Sequence, residues 1–303
     1  MSQDLQRHAR SFGSVADAYD RGRPGYPDAA VAWLVGEQPV TVLELGAGTG
    51  KLTARLVAAG HDVHATDPDE AMLAVLRERL PDARASVCGA EQIPVADQSV
   101  DVVVAAQCFH WFDPEVALPE IARVLRPGGH LAVVANERDE RIPWVRKLGR
   151  IIGTQDQGAG PDEVLTTSTD FDEVEHESFK HWQVVDRRTI QDLVLSRSNV
   201  AVLDQPERDR VLADVLALYD DYGRGMDGMQ LPYLARATRA RVTERVVVPP
   251  PVEPRAEPEP TVPINLAGRG PSDGNDPMVD SADTIPRVAA GLEDTGTLLI
   301  DFR

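Results

Sequence analysis

Two acids and a run of glycines carry the first chemical suggestion in this chain. Residues 40–51 read VTVLELGAGTGK, with Glu44 two places before Gly46 and with Gly48 and Gly50 at the following alternate positions. Asp67 ends the next apolar segment, residues 61–66. Glycines so placed let the backbone bend and let a ligand approach where a side chain would block it. A helix opening behind them presents free N–H groups to a polar ligand. A carboxylate at Asp67 can accept from both hydroxyls of a ribose. Asp67 has a second reading, the N-cap of the helix that opens at Pro68 or Glu70, but Asp69 can take that cap.

The elements that position these residues follow from periodicity. Residues 41–45 are β-branched and apolar apart from Glu44, which predicts a buried strand. Leu52, Leu56 and Val57 recur at helical spacing, and Ala59-Gly60 closes the helix. The glycines fall as G-x-G-x-G, with Lys51 where the dinucleotide fingerprint has its third glycine. That departure speaks against a nicotinamide-dependent oxidoreductase. ELGAGTG followed by a strand-end Asp resembles motif I and the next acidic position of class I S-adenosylmethionine-dependent methyltransferases. The resemblance implies that Gly46, Ala47, Gly48 and Gly50 lie against the amino-acid part of the cofactor, with Glu44 acting through bridging groups. It assigns the ribose to Asp67, a cofactor contact to Pro68 and packing on the adenine to Met72, although Met72 also reads as plain core.

Ahead of motif I, residues 1–30 are polar and turn-rich. Tyr19, Arg23, Pro24, Tyr26 and Pro27 belong either to a surface arm leading into a helix at residues 28–35, or to a lid. As a lid, Arg23 would hold the carboxylate of an amino-acid-like cofactor and Tyr19 would cover it. A Tyr-x-x-x-Arg-Pro-x-Tyr-Pro arm is similar to one branch of the small-molecule methyltransferases.

Residues 84–88 predict a third strand, ended by Gly89-Ala90-Glu91. That triplet resembles the family's loop beside the adenine, but Gly89 stands where an acid is usual, so the contact falls to backbone groups of Ala90 and Glu91. Residues 100–106 predict a fourth, fully buried parallel strand. It runs into Gln107-Cys108-Phe109-His110-Trp111-Phe112-Asp113-Pro114. Ligands of doubly wound sheets sit beyond the carboxyl ends of central strands, so Gln107 is expected beside the cofactor. Phe109, His110 and Trp111 are expected to border the acceptor. His110 either shapes that pocket or serves as a catalytic base for a protonated acceptor. The FHWFD run resembles the branch that includes trans-aconitate methyltransferases. Arg126-Pro127-Gly128-Gly129 predicts a helix stop before a fifth strand at residues 130–135.

Helices are expected at residues 142–152, 189–200 and 207–219, and a last strand at 231–242 bearing Arg236, Arg239 and Arg241. Those arginines form either a solvated edge or a site for an acidic substrate. From residue 246 the composition turns Pro- and Glu-rich, which predicts a largely disordered extension over 246–303 after a domain at 1–245. Its end, TLLIDF, reads as a frayed tail or as a docking segment for a partner.

With 303 residues, 42% hydrophobic and 26% charged, the chain suits a globular protein with a sizeable core. A net charge of −18 argues against nucleic acid and anionic membranes as partners. The N-terminus lacks the apolar core of a signal peptide. The two cysteines, Cys88 and Cys108, read as small buried hydrophobes in a reducing cytoplasm. His61 and His64 stand three apart on a strand and so face opposite sides, which is no metal site.

The resulting expectation is an α/β Rossmann-like, doubly wound and mostly parallel seven-stranded sheet with an antiparallel last strand. Its cofactor would be S-adenosylmethionine, giving S-adenosylhomocysteine, and its partner a small-molecule acceptor. A cofactor-binding regulatory protein without turnover and a nucleic-acid methyltransferase are the other classes. The latter would need a basic face and an Asn-Pro-Pro-Tyr-type run where QCFHWF stands.

Overall fold

A computed structural model describes residues 16–153, 160–223 and 228–243. The first part of the chain alternates helix and strand in the order α1 (Ala16–Gly22), α2 (Asp28–Val35), β1 (Thr41–Leu45), α3 (Lys51–Ala58), β2 (Asp62–Asp67), α4 (Glu70–Arg79), β3 (Arg84–Val87) and β4 (Val100–Ala106). A single 3-10 turn, Phe109–Trp111, leads to α5 (Pro114–Val124) and β5 (Leu125–Arg138). The second part adds α6 (Pro143–Ile152), α7 (Pro161–Thr167), β6 (Phe171–Val185), α8 (Thr189–Leu195), α9 (Ser198–Ala201), α10 (Gln205–Tyr222) and β7 (Met229–Val242).

The strands form one seven-stranded sheet in the order β3-β2-β1-β4-β5-β7-β6. β1 to β5 pair in parallel, and β7 runs antiparallel between β5 and β6. Strand alternation explains the two-sided core. Leu43, Leu45, Val103, Ala105, Leu131 and Val133 pack with Leu118 and Ile121 of α5. The intervening residues Val42, Val102, Val104, Ala132 and Val134 pack with Leu34 of α2 and Leu52 and Leu56 of α3. A third cluster joins α6, α8 and α10 to the adjoining ends of β6 and β7, with Leu148, Ile190, Leu193 and Leu218 against Val185, Leu231 and Tyr233. This is the helical cover at the carboxyl end of β5.

Two expectations are revised, and one pair of alternatives is narrowed. The Arg126-Pro127-Gly128-Gly129 stop lies inside the β5 ladder: Val100 pairs with Leu125 and Val102 with His130, so the four residues loop out at a register shift. The helix expected over 189–200 breaks after Leu195, because Ser196 O accepts from Arg23 Nη2 at 3.0 Å and Arg197 turns extended, at φ −86° and ψ 134°. Arg236, Arg239 and Arg241 form ion pairs with Glu137, Glu175 and Glu173 of the adjoining strands, as a solvated edge would. The expected extension at 246–303 and its TLLIDF segment lie outside the described residues.

Candidate cofactor and acceptor site

The glycine turn adopts the conformations that its residue types allow. Gly46, Gly48 and Gly50 all have positive φ, at 64°, 57° and 82°, a region that costs other L-residues strain. A Cβ on Gly46 would stand 2.6 Å from Cys108 Sγ, which donates to Leu45 O at 3.1 Å. A Cβ on Gly48 would stand 3.3 Å from Met72 Cε and 3.9 Å from Tyr19, so a side chain there would crowd Met72 at the turn. Gly50 faces inward: its Cβ would meet Leu76 Cγ of α4 at 2.9 Å, so this glycine serves helix packing.

Asp67 closes the turn from β2. Its Oδ2 accepts the Gly48 N–H at 2.9 Å and its Oδ1 accepts the Asp69 N–H at 2.8 Å. Asp69 takes the cap of α4 by accepting from the Ala71 N–H at 2.9 Å, as expected. Each Asp67 oxygen keeps a lone pair for a further donor. Burial pushes the Asp67 carboxyl up to about 6, against the opposing effect of the two N–H groups.

Glu44 is 1% exposed within β1 and accepts from Thr53 Oγ1 at 2.7 Å. Burial pushes it up to about 8, partly offset by the Thr53 bond and reinforced by Asp67. A buried carboxyl held there takes a cationic partner readily, because ionisation then restores what desolvation removed.

The arm crosses this turn. Tyr19, Arg23, Tyr26, Glu44, Gly46, Ala47, Lys51 and Gln107 line one small cleft. Arg23 lies over the Tyr19 ring at 5.2 Å. Several side-chain ties hold the arm in place. Arg21 pairs with Asp192 of α8 at 2.8 Å. Arg23 Nε donates to Ser196 Oγ at 3.0 Å. Asp20 accepts from Thr49 Oγ1 at 3.0 Å and pairs with Arg79. Asp20, Thr53 and Ser196 belong to no motif, so only their folded proximity to Thr49, Glu44 and Arg23 identifies them.

At the end of β4, Gln107 has φ +63°, a strained value for a side-chain-bearing residue. It borders both the glycine-turn cleft and a second cavity of about 290 Å³, lined by Phe109, His110, Glu137, Asp162 and Arg236 among others. Trp111 packs on His110, with ring centroids 4.6 Å apart, and does not line that cavity. Burial, with Arg23 adding repulsion, pushes His110 down to about 4. The ring is therefore neutral at pH 7 and can accept or donate a hydrogen bond, but it is a weak base.

The remaining residues expected around the cofactor are dispersed. Met72 is buried against the glycine turn and Pro68 is exposed. Ala90 is buried in the core, and Glu91 Oε1 accepts the Asp113 N–H at 3.1 Å, so its carboxylate faces the start of α5. Backbone groups of residues 90 and 91 are what remains for a base edge. Among the described residues no group of three or more His, Cys, Asp and Glu could hold a metal ion. No helix among them is long and apolar enough to cross a membrane.

Comparison with known proteins falls on the same residues. Residues 43–133 match the family described as methyltransferase domain. An uncharacterised methyltransferase of Mycobacterium tuberculosis is 46% identical over 232 residues, spanning 76% of this chain and 95% of that protein. A malonyl-[acyl-carrier protein] O-methyltransferase of Methylococcus capsulatus is 39% identical over 133 residues, 40% of this chain and 48% of its own length. Among solved structures, a candidate type II methyltransferase of Anaeromyxobacter dehalogenans superposes with a TM-score of 0.52 at 26% identity, covering 73% of this chain and 97% of that one.

Proposed function

The chain belongs to the class I S-adenosylmethionine-dependent methyltransferases, and from that premise we propose that it methylates a small-molecule acceptor held beyond Gln107. The observation that carries this reading is the position of Gln107, whose strained backbone borders both the glycine-turn cleft and the 290 Å³ cavity.

Residues in and beside the cleft suit the cofactor. Next to it, Gly48 carries no side chain over the turn and Asp67 keeps two acceptor positions for a ribose; within it, Glu44 offers a carboxyl to a cationic amino group. Arg23 and Tyr19 cover the cleft from the arm. When bound, the cofactor supplies an electrophilic sulfonium methyl. The chain's own contribution is alignment and exclusion of water, because the leaving group is already activated. Phe109 and His110 form the cavity wall next to Gln107. His110, neutral at pH 7, positions an acceptor or takes a hydrogen bond from it, and is poorly matched to stripping a proton.

A small acceptor fits the net charge of −18, which opposes a nucleic acid. The two free cysteines, Cys88 and Cys108, fit a reducing, cytoplasmic setting. The domain reading, a methyltransferase domain over 1–245 and an extension over 246–303, is part of the same proposal. The test is release of S-adenosylhomocysteine from S-adenosylmethionine across panels of small acids, amines and phenols, with protein and nucleic-acid substrates alongside. Turnover with a small molecule is expected. Turnover only with macromolecules would overturn the acceptor class. Cofactor binding with no turnover on any panel would favour a regulatory binding protein.

A further inference from the structure

Two arginines are buried at the carboxyl edge of the sheet with more positive charge than their surroundings balance. Arg197 is 2% exposed, its Nη2 donates to Gly153 O at 3.1 Å, and its Nε has no partner. Arg138 ends β5 with a side chain 10% exposed. Its Nη2 reaches Glu140 Oε1 only at 3.3 Å, and its Nε also lacks a partner. Buried polar groups are nearly always hydrogen-bonded, and buried charges are paired. Two such exceptions in one place call for a missing partner.

The surroundings converge on that place. Tyr233 is the register partner of Arg138 across β5 and β7. Its hydroxyl donates to Gln183 Oε1 at 3.2 Å, and Gln183 Nε2 donates to Gly22 O of the arm at 2.7 Å. Arg23 bonds to Ser196, the residue before Arg197, and also lines the glycine-turn cleft. Burial, followed by repulsion from Arg138 and Arg23, lowers Arg197 to about 9, so it remains a cation at pH 7. Glu140 is the carboxylate acting on it. Arg197 thus feels two guanidiniums, Arg138 and Arg23, against the one carboxylate of Glu140. Arg138 also borders a cavity of about 470 Å³, whose other charged residues are Arg141, Arg146 and Arg236 and the acids Glu137, Asp139 and Glu140.

We infer that Arg138 and Arg197, flanked by Arg23 and Tyr233, form the receptor for an oxyanion group, a carboxylate or phosphate, on the acceptor. This rests on the reading of the chain as a methyltransferase with a small-molecule acceptor. An open Nε on each guanidinium is half of the fork that grips such groups in two-point fashion. Arg23 belongs both to this cluster and to the cofactor cleft, which sets the anion beside the donor. The arginines of β7 do not compete for the role, since Arg236, Arg239 and Arg241 are engaged by Glu137, Glu175 and Glu173.

The test uses the full chain loaded with S-adenosylhomocysteine. Succinate in one arm and inorganic phosphate in another are titrated against sodium chloride at equal ionic strength, and thermal unfolding is read. The wild type should show a saturable rise in Tm with at least one of the two anions, and the responding arm identifies the group. In Arg197→Met and Arg138→Met the half-maximal concentration should rise at least roughly tenfold. Their anion-free Tm should be unchanged or higher, because an uncompensated buried charge is gone. A purely structural role predicts the reverse, a lowered Tm with the anion response retained. If Arg197→Met does not fold, Arg138→Lys decides, since it keeps the charge, loses the fork and should weaken the response. A wild type that binds S-adenosylhomocysteine but ignores both anions overturns the inference and leaves the methyltransferase reading standing. A wild type that does not bind S-adenosylhomocysteine counts against both.

Discussion

Asp67 Oδ2 accepts the Gly48 N–H at 2.9 Å, so the carboxylate that ends β2 is fastened to the middle of the turn that ends β1. One group therefore shapes the cradle and faces the ligand. Asp67→Asn keeps the size but sets an NH2 group against one of the two backbone N–H groups and removes an acceptor from the ligand side. Affinity for S-adenosylhomocysteine should fall roughly tenfold or more, read by calorimetry alongside Tm. Unchanged affinity in the folded variant would remove Asp67 from the cofactor site.

Glu44 makes stability fall with pH. Its carboxyl is raised from 4.5 to about 8 in the fold, so between those values the folded chain holds a proton that the unfolded chain has lost. The stabilising contribution is complete below pH 4.5 and is lost as pH rises through about 8. Glu44→Gln should flatten the Tm-against-pH curve across that window. A curve as steep in the variant as in the wild type would show that Glu44 is not the titrating group.

His110 acts in the opposite sense. Its pKa is lowered from 6.5 to about 4, so between those values the unfolded chain binds the extra proton and stability rises with pH. His110→Gln should remove a rising limb between pH 4 and 6.5 and leave the fall assigned to Glu44. A rising limb retained in His110→Gln would contradict the assignment.

Much of this was legible beforehand because motif and burial report on the same residues. The alternation of strands and helices, the Gly46-Gly48-Gly50 turn and the Asp69 cap all follow from local rules of spacing and backbone freedom. Arg138 and Arg197 did not stand out, because their meaning lies in what fails to bond them, and that depends on chain segments about 60 residues apart. Gly50 read as a ligand contact from spacing alone, and its packing against Leu76 was not visible there, since a positive φ does not say which way a turn faces. The bulge at residues 126–129 came from a register shift that no local pattern encodes.

Gly46 and Cys108 make a separable pair. Gly46→Ala should lower stability for two reasons, the left-handed φ, costing about 1–2 kcal/mol, and the overlap with Cys108, costing about 1–3 kcal/mol. Adding Cys108→Gly should recover the second part and not the first, as read by urea unfolding. Full recovery would mean that the backbone conformation carries no strain, and no recovery that the overlap is relieved elsewhere.

The arm rests on the contact of Gly22 with α8, where a Cβ would stand 2.2 Å from Leu193 N. Gly22→Ala should lift the arm, freeing the backbone after Arg21 for cleavage by trypsin and weakening cofactor binding. Asp192→Ala removes an ion pair whose guanidinium is exposed and whose carboxylate is buried, but leaves the Gly22 packing in place, and should leave the trypsin pattern nearly intact. Equal trypsin sensitivity in the two variants would show that the ion pair, and not the close packing, holds the arm.

The central claim is most directly tested by calorimetric titration of the full chain with S-adenosylmethionine, S-adenosylhomocysteine and NAD in parallel. The account predicts micromolar binding of the first two and none of NAD. Binding of NAD with no binding of either sulfur nucleoside would contradict it.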